Sequence, residues 1–211
     1  MADKLDTQLD RTLEPYQLLE HPFYRRWEAG GLRRDELTSY AEQYRFFEAM
    51  LPTFLSALSA QLPDGFIRDS VLANLSDEVT APSHLSLFDV FARSFGATDA
   101  PMSSAMSQLI TAYDQLLLQG PVSSLAGLWA YESQGAAIAD SKAEGLVKYY
   151  GACGDDVAFW MMHGSLEGDH AKWTLDALEA LDPDVDEVSQ AAQVIGRAWW
   201  SFLDERELMA T

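Results

Sequence analysis

Apolar residues recur every three or four positions along almost the whole chain, and no stretch alternates regularly enough to predict a strand. The pattern is that of an all-α protein. Leu37, Tyr40, Ala41, Tyr44, Phe47 and Leu51 form one stripe, which should end at Pro52 because proline has no amide hydrogen with which to continue a helix. Val71, Leu72 and Leu75 form a second. Leu87, Phe88, Phe91 and Phe95 form a third that stops at Gly96. A fourth runs through Met102, Met106, Leu109, Ile110, Tyr113, Leu116 and Leu117 and closes at Gly120-Pro121.

Two longer helices follow, over roughly 122–150 and 156–181. The first carries Leu125, Leu128, Trp129, Glu132, Gly135 and Ala139 on one side, and the second Phe159, Trp160, His163, Glu167, His170, Ala177 and Leu178. A last helix turns Val188, Ile195, Trp199, Phe202 and Leu203 inward. Connections are short and there is no repeat or low-complexity segment. The expected architecture is one domain over 1–211, a compact bundle of seven or eight helices.

At 211 residues and 48% hydrophobic, the chain can bury a substantial core without disulfides. Its one cysteine, Cys153, excludes an intrachain disulfide and any thiolate-rich metal site, and fits a reducing compartment. No run of about 18 apolar residues offers a membrane span. Met1-Ala2-Asp3-Lys4-Leu5-Asp6 lacks the basic-then-apolar order of a signal peptide, so a cytoplasmic protein is expected. The formal charge of −19 repels phosphate backbones and anionic lipid, which argues against nucleic acid and membrane surfaces as partners and leaves a homodimer open.

The segment richest in chemistry is Phe159 to His170. At about 100° per residue, His163, Glu167 and His170 fall within roughly 60° of one another, in line with Phe159, Trp160 and Ala177, whereas Asp169 points to solvent. Two imidazoles and a carboxylate therefore face the core, where each needs a strong partner. A metal is one such partner; a hydrogen-bonded core histidine beside a chance carboxylate is the other reading. Residues seven apart are separated by roughly 10 Å along the helix axis, which suits two ions about 3.5 to 4 Å apart better than one shared ion. Glu132 lies on an equally apolar face and needs the same kind of partner, a metal or a buried cation. The third cluster, Asn74-Leu75-Ser76-Asp77-Glu78 with His84, is interrupted by Pro82, and spacing leaves Asp77 and Glu78 as alternatives. Oxygen and imidazole donors without thiolate suit iron or manganese. Ferritin-like di-iron bundles use two Glu-x-x-His steps, and only Glu167-x-x-His170 is present.

Five motifs spread from about Leu18 to Leu203 carry a resemblance: His21-Pro22-Phe23-Tyr24-Arg25-Arg26-Trp27, Asn74 to Glu78 with His84, Tyr131-Glu132-Ser133-Gln134, Gly145-Leu146 with Tyr150-Gly151, and His163-x3-Glu167-x2-His170. Together they resemble the haem-oxygenase-like di-metal oxidases, which bind no haem, and within them the chlamydial and bacterial members that make p-aminobenzoate. The resemblance implies metal ligands at Glu78, His84, Glu132, His163, Glu167 and His170, and so selects Glu78 over Asp77. It implies two transition-metal ions, Fe/Fe or Mn/Fe, that act with O2 and an external reductant. Two departures stand out: the family's usual aspartate is Glu167 here, and the link from Glu78 to His84 is one residue shorter.

In that branch a tyrosine supplies the aromatic ring and a lysine the amino group, and the matching positions are Tyr24 and Lys142, with Tyr40, Tyr44 and Tyr131 as candidates to surround them. On pattern alone Tyr24 reads as a packed aromatic and Lys142 as a solvated lysine, although Lys142 lies near the line of Gly135, from which a long side chain could reach the site. The expected function is an O2-dependent oxidase that makes p-aminobenzoate for folate synthesis from its own Tyr24 and Lys142. One alternative is a di-metal oxidase or N-oxygenase acting on a free amine, amino acid or fatty acid. Another is a non-enzymatic interaction module with an acidic surface. A thiamin-degrading relative of this fold would need a nucleophilic cysteine, and Cys153, in a loop after Gly151, is poorly placed for it.

Overall fold

The computed structural model describes residues 2–209. Its helices are α1 (Ala2–Leu13), the seven-residue α2 (Pro22–Glu28), α3 (Arg34–Gln61), α4 (Phe66–Val79), α5 (His84–Ser94), α6 (Ser104–Gln119), α7 (Pro121–Tyr150), α8 (Ala158–Ala180) and α9 (Val185–Leu208). Among the described residues there is no strand, and eight helices are longer than α2. None of the helices among the described residues is long and apolar enough to cross a membrane. The longest helix, α7, packs along α8 and α9; α3 packs on α4, α5 and α6, and α4 closes against α8. The polar interior lies where α3, α4, α5, α7 and α8 converge.

Three expectations need correction. The stripe that begins at Leu37 does not end at Pro52: α3 runs on to Gln61 with Pro52 inside it. Proline removes one helical hydrogen bond, but Phe54, Leu55 and Leu58 beyond it are buried, and that burial holds the helix together across the break. In α4 the inward row is Ser70, Val71, Asn74 and Glu78, while Leu72 faces out. Apolar residues thus misreport the phase of α4, because its inner face carries polar side chains. Met102 precedes α6 and is exposed rather than part of its stripe. Helix α1, with Leu5, Leu9 and Leu13 buried on its α9 side, has the same four-residue spacing and adds a helix ahead of the first predicted one.

α2 is the element that brings Tyr24 into the core, and two contacts fix it. Gly145 of α7 has no side chain, and a Cβ there would sit 2.9 Å from Trp27 Cδ1, so the glycine lets α2 approach close enough for Trp27 Nε1 to donate to the Lys142 carbonyl at 3.3 Å. At its other end Pro22 takes the first helical position, and the fully buried His21 caps the helix, its Nδ1 accepting from the Phe23 amide at 3.1 Å. Its Nε2 faces Asp204 Oδ1 at 3.1 Å. An imidazole can cap in this way only while Nδ1 is unprotonated.

Burial pushes the His21 imidazole below its ordinary value of 6.5, against the pull of Asp204. The unfolded chain therefore binds this proton more readily than the folded one. The stability His21 contributes is present above about pH 6.5 and is lost as the pH falls through the folded value. His21→Ala should lower stability by about 1 kcal/mol at pH 7.5. In urea unfolding, its gap to the wild type should narrow as the pH falls towards 5; a gap that is flat or widens would contradict this account of the cap.

Candidate metal centre

Six buried side chains from four helices form two groups. Glu78 at the end of α4, His84 at the start of α5 and His163 on α8 offer ligand atoms within 4.8 Å of one another, and Glu132 of α7 with Glu167 and His170 of α8 do the same. α8 thus splits its two histidines between the groups. All six residues named from the motifs are brought together. Asp169 is exposed.

In the first group His84 Nδ1 lies 3.0 Å from Glu78 Oε1, yet no hydrogen bond joins them. Two donor atoms each about 2.1 Å from one ion and at right angles to each other would be about 3.0 Å apart. His163 Nδ1 is 2.9 Å from the Phe159 carbonyl oxygen, which can only accept, so the ring's hydrogen is on Nδ1 and its lone pair on Nε2. That Nε2 is 3.7 Å from Glu167 Oε1, and the His84 and His163 ring centroids are 4.5 Å apart.

In the second group the Glu132 oxygens accept from Asn74 Nδ2 and Thr174 Oγ1, both at 2.6 Å. Burial pushes its carboxyl up to about 7 in spite of those bonds. Glu167 Oε2 has no hydrogen-bond partner, and burial, then Glu132 and Glu78, pushes this carboxyl well up. His170 Nε2 donates to Asp77 Oδ2 at 3.1 Å, which leaves Nδ1 as its lone-pair nitrogen. Asp77 and Glu78 therefore both matter, one orienting a histidine and the other facing the first group.

The donor set fits divalent metal. Burial and the neighbouring His84 hold His163 well below the usual imidazole range, so it is a neutral lone-pair donor, and the carboxylates are groups whose charged form a cation would stabilise. Carboxylate and imidazole without sulfur favours iron or manganese over softer-ligand sites.

Beside these groups lies an aromatic pocket around one amine. Tyr24 and Lys142 are each 1% exposed. The Tyr24 and Tyr40 hydroxyls share a hydrogen bond of 2.9 Å, and Lys142 Nζ donates to Tyr40 Oη at 2.6 Å. Nζ stands 4.6 Å from the Tyr24 ring centroid, 4.9 Å from that of Tyr44 and 4.1 Å from that of Trp160. Burial holds the amine well below its ordinary range. Tyr44 and Tyr131 share a hydrogen bond of their own. Trp160 stacks edge-on with Phe159 at 4.7 Å, and Phe159 lies 4.0 Å from the His163 ring, so rings connect the amine with the first ligand group.

The roles of four polar residues at the centre were not read from the sequence: Glu48 and Thr174 were not singled out, Asn74 stood only as part of a motif, and Asp77 only as the alternative to Glu78. Helical phase could have found three of them. Asn74 is four residues before Glu78, Thr174 four after His170, and Glu48 four after Tyr44 inside an apolar stripe.

Comparison with known proteins agrees with the donor chemistry. The sequence profile of a family described as iron-containing redox enzymes matches residues 38–203. The chain belongs to that family. It is 35% identical over 217 residues to a 4-aminobenzoate synthase of Nitrosomonas europaea, covering 93% of this chain and 88% of the relative. It is 30% identical over 206 residues to a 4-aminobenzoate synthase of Chlamydia muridarum, covering 93% and 87%. A domain with a heme oxygenase-like fold from Shewanella denitrificans superposes with a TM-score of 0.80 at 14% identity, over 99% of this chain and 93% of that one. The chain is accordingly an all-helical redox enzyme of the haem-oxygenase-like di-metal oxidase kind.

In this redox enzyme the longer reach of Glu167 is matched by a missing side chain. A Cβ at Gly135, on the facing turn of α7, would lie 2.9 Å from Glu167 Oε2 and 3.0 Å from its Cδ and Cγ. Glycine makes room for the extra methylene that glutamate has over aspartate. Gly135→Ala should displace the Glu167 carboxylate and weaken retention of the ion at the second group about tenfold or more. Adding Glu167→Asp to Gly135→Ala should restore it. Elemental analysis of the purified single and double variants checks both; equal metal content in wild type and Gly135→Ala would contradict the fit.

Proposed function

We propose that this enzyme makes p-aminobenzoate, a precursor for folate synthesis in the cytoplasm, from its own Tyr24 with Lys142 as the nitrogen donor. Glu78, His84 and His163 would hold one transition-metal ion and Glu132, Glu167 and His170 the other, as Fe/Fe or Mn/Fe, with O2 and an external reductant as co-reactants. The observation that carries the proposal is the position of the Lys142 amine, 4.6 Å from the Tyr24 ring centroid with both side chains buried, in a chain similar to proteins named 4-aminobenzoate synthase.

When bound, the metals would supply O2 activation. The chain's own residues do the rest. Tyr40 holds the reacting pair, bonded to the Tyr24 hydroxyl on one side and to Lys142 Nζ on the other. Burial favours the free amine at Nζ, whose lone pair is what can attack a ring carbon. Trp27, Trp160 and Tyr44 wall the amine with rings and exclude water. The change itself would break the Tyr24 Cα–Cβ bond, Cα taking a hydrogen to leave a glycyl residue, and the Lys142 Cε–Nζ bond, Cε being left as an aldehyde, and would put Nζ on Cζ in place of the phenol oxygen, which leaves as water. Cβ is oxidised to a carboxyl group. O2 is the oxidant, and the external reductant supplies the electrons it takes beyond those the side chains yield.

Neither side chain is regenerated, so each chain should release at most one product molecule. Protein grown on ring-labelled tyrosine and ε-15N lysine, loaded with Fe(II) alone or with Mn(II) and given reductant and O2, should release p-aminobenzoate that carries both labels. The chain should lose the corresponding mass at Tyr24 and Lys142. Tyr24→Phe and Lys142→Met should release none. Unlabelled product that depends on an added small molecule would sink the self-sacrifice reading and favour oxidation of a free substrate.

A further inference from the structure

One carboxylate in the core belongs to neither ligand group. Glu48, on α3 one turn after Tyr44, is 2% exposed. Its Oε2 has no hydrogen-bond partner, and its carboxylate is hydrogen-bonded by Tyr44. It lies in the field of Glu78 from the first group, of Glu167 from the second, and of Lys142. Burial first and Glu78 next disfavour its charged form, and they outweigh the Tyr44 hydrogen bond. Lys142 does not balance it, since burial disfavours the ammonium form of that amine. As a purely structural group Glu48 is thus poorly accounted for.

The charges of the ligand groups account for it. Their side chains comprise three carboxylates and three histidines, and histidine binds metal as the neutral ring. Two divalent ions held by that set leave one positive charge over, buried away from water. One more carboxylate cancels it. We propose that Glu48 is the counter-charge of the loaded metal centre, a positioning residue that makes the buried assembly electrically neutral while it accepts from the Tyr44 hydroxyl. This rests on the two-ion reading of the ligand groups.

Glu48→Gln tests it, because the amide oxygen still accepts from Tyr44 while the charge is gone. Fe(II) binding is measured by anaerobic equilibrium dialysis, alongside the unfolding midpoint of the metal-free protein. The wild type should hold two Fe(II). Glu48→Gln should bind Fe(II) about ten- to a hundredfold more weakly, with a metal-free midpoint equal to or above that of the wild type. Fe(II) affinity within about threefold of the wild type overturns the proposal. Weakened binding with a lowered metal-free midpoint assigns Glu48 to the fold and overturns it equally. Should Glu48→Gln fail to fold, Glu48→Met, which keeps the bulk without the charge, is judged by the same outcomes. A wild type that holds fewer than two Fe(II) fails the two-ion reading itself, a result distinct from unchanged binding by the variant.

Discussion

The interior of this bundle is governed by the cost of keeping ionisable groups out of water. Glu48, Glu78, Glu132, Glu167, His84, His163, His170 and Lys142 are all buried. Removing even one ion from water costs several kcal/mol, comparable with the whole stability of a domain, so such a cluster persists only if its charges find partners. Hydrogen bonds from Asn74 and Thr174 satisfy Glu132, but Glu167 Oε2 and Glu48 Oε2 have none. The balance needs positive charge, and divalent metal supplies it most compactly. The scaffold suits that demand. α7 and α8 run side by side for most of their length, so their inward groups are held by two long, mutually packed helices rather than by loops.

The same cost decides the state of Lys142. Its Nζ touches the faces of several rings, and cation–π attraction of about 2 kcal/mol would favour the ammonium. Desolvation of a buried ammonium costs several kcal/mol and works the other way. The larger effect wins, so burial favours the free amine, and Nζ donates to Tyr40. An aromatic cage built to bind a cation would leave the cation wet on one side. This one closes around an amine whose charged form burial disfavours.

How much of this was legible in the sequence depends on what each helix face carries. α8 was readable because His163, Glu167 and His170 interrupt an otherwise apolar face, and burial makes such an interruption expensive enough to mean something. α4 was not, because its inner face is polar and its exposed Leu72 mimics a core residue. Only the four-residue step from Asn74 to Glu78 marked the true face. Pro52 misled for a related reason: local backbone chemistry says stop, and the apolar residues after it outweigh one lost hydrogen bond. Tyr24 and Lys142 have no local signature at all. Their meeting is made by the approach of α2 to α7 at Gly145, a tertiary event that only resemblance to known proteins could anticipate.

Packing also bears on which substrate the centre serves. An enzyme that oxidises a free small molecule needs room for it beside the metals, typically a cavity of about 300 to 1,000 Å³ lined by a few polar groups. Here Tyr24, Tyr40, Tyr44 and Trp160 surround the amine and Phe159 joins Trp160 to His163, each ring buried and in contact with its neighbours. To admit a substrate, several of these rings would have to leave, and each carries a large buried apolar area whose exposure costs a few kcal/mol. A reactant already part of the chain avoids that cost, because its binding is accomplished by folding. The density of the core is thus a reason to look for the substrate within it.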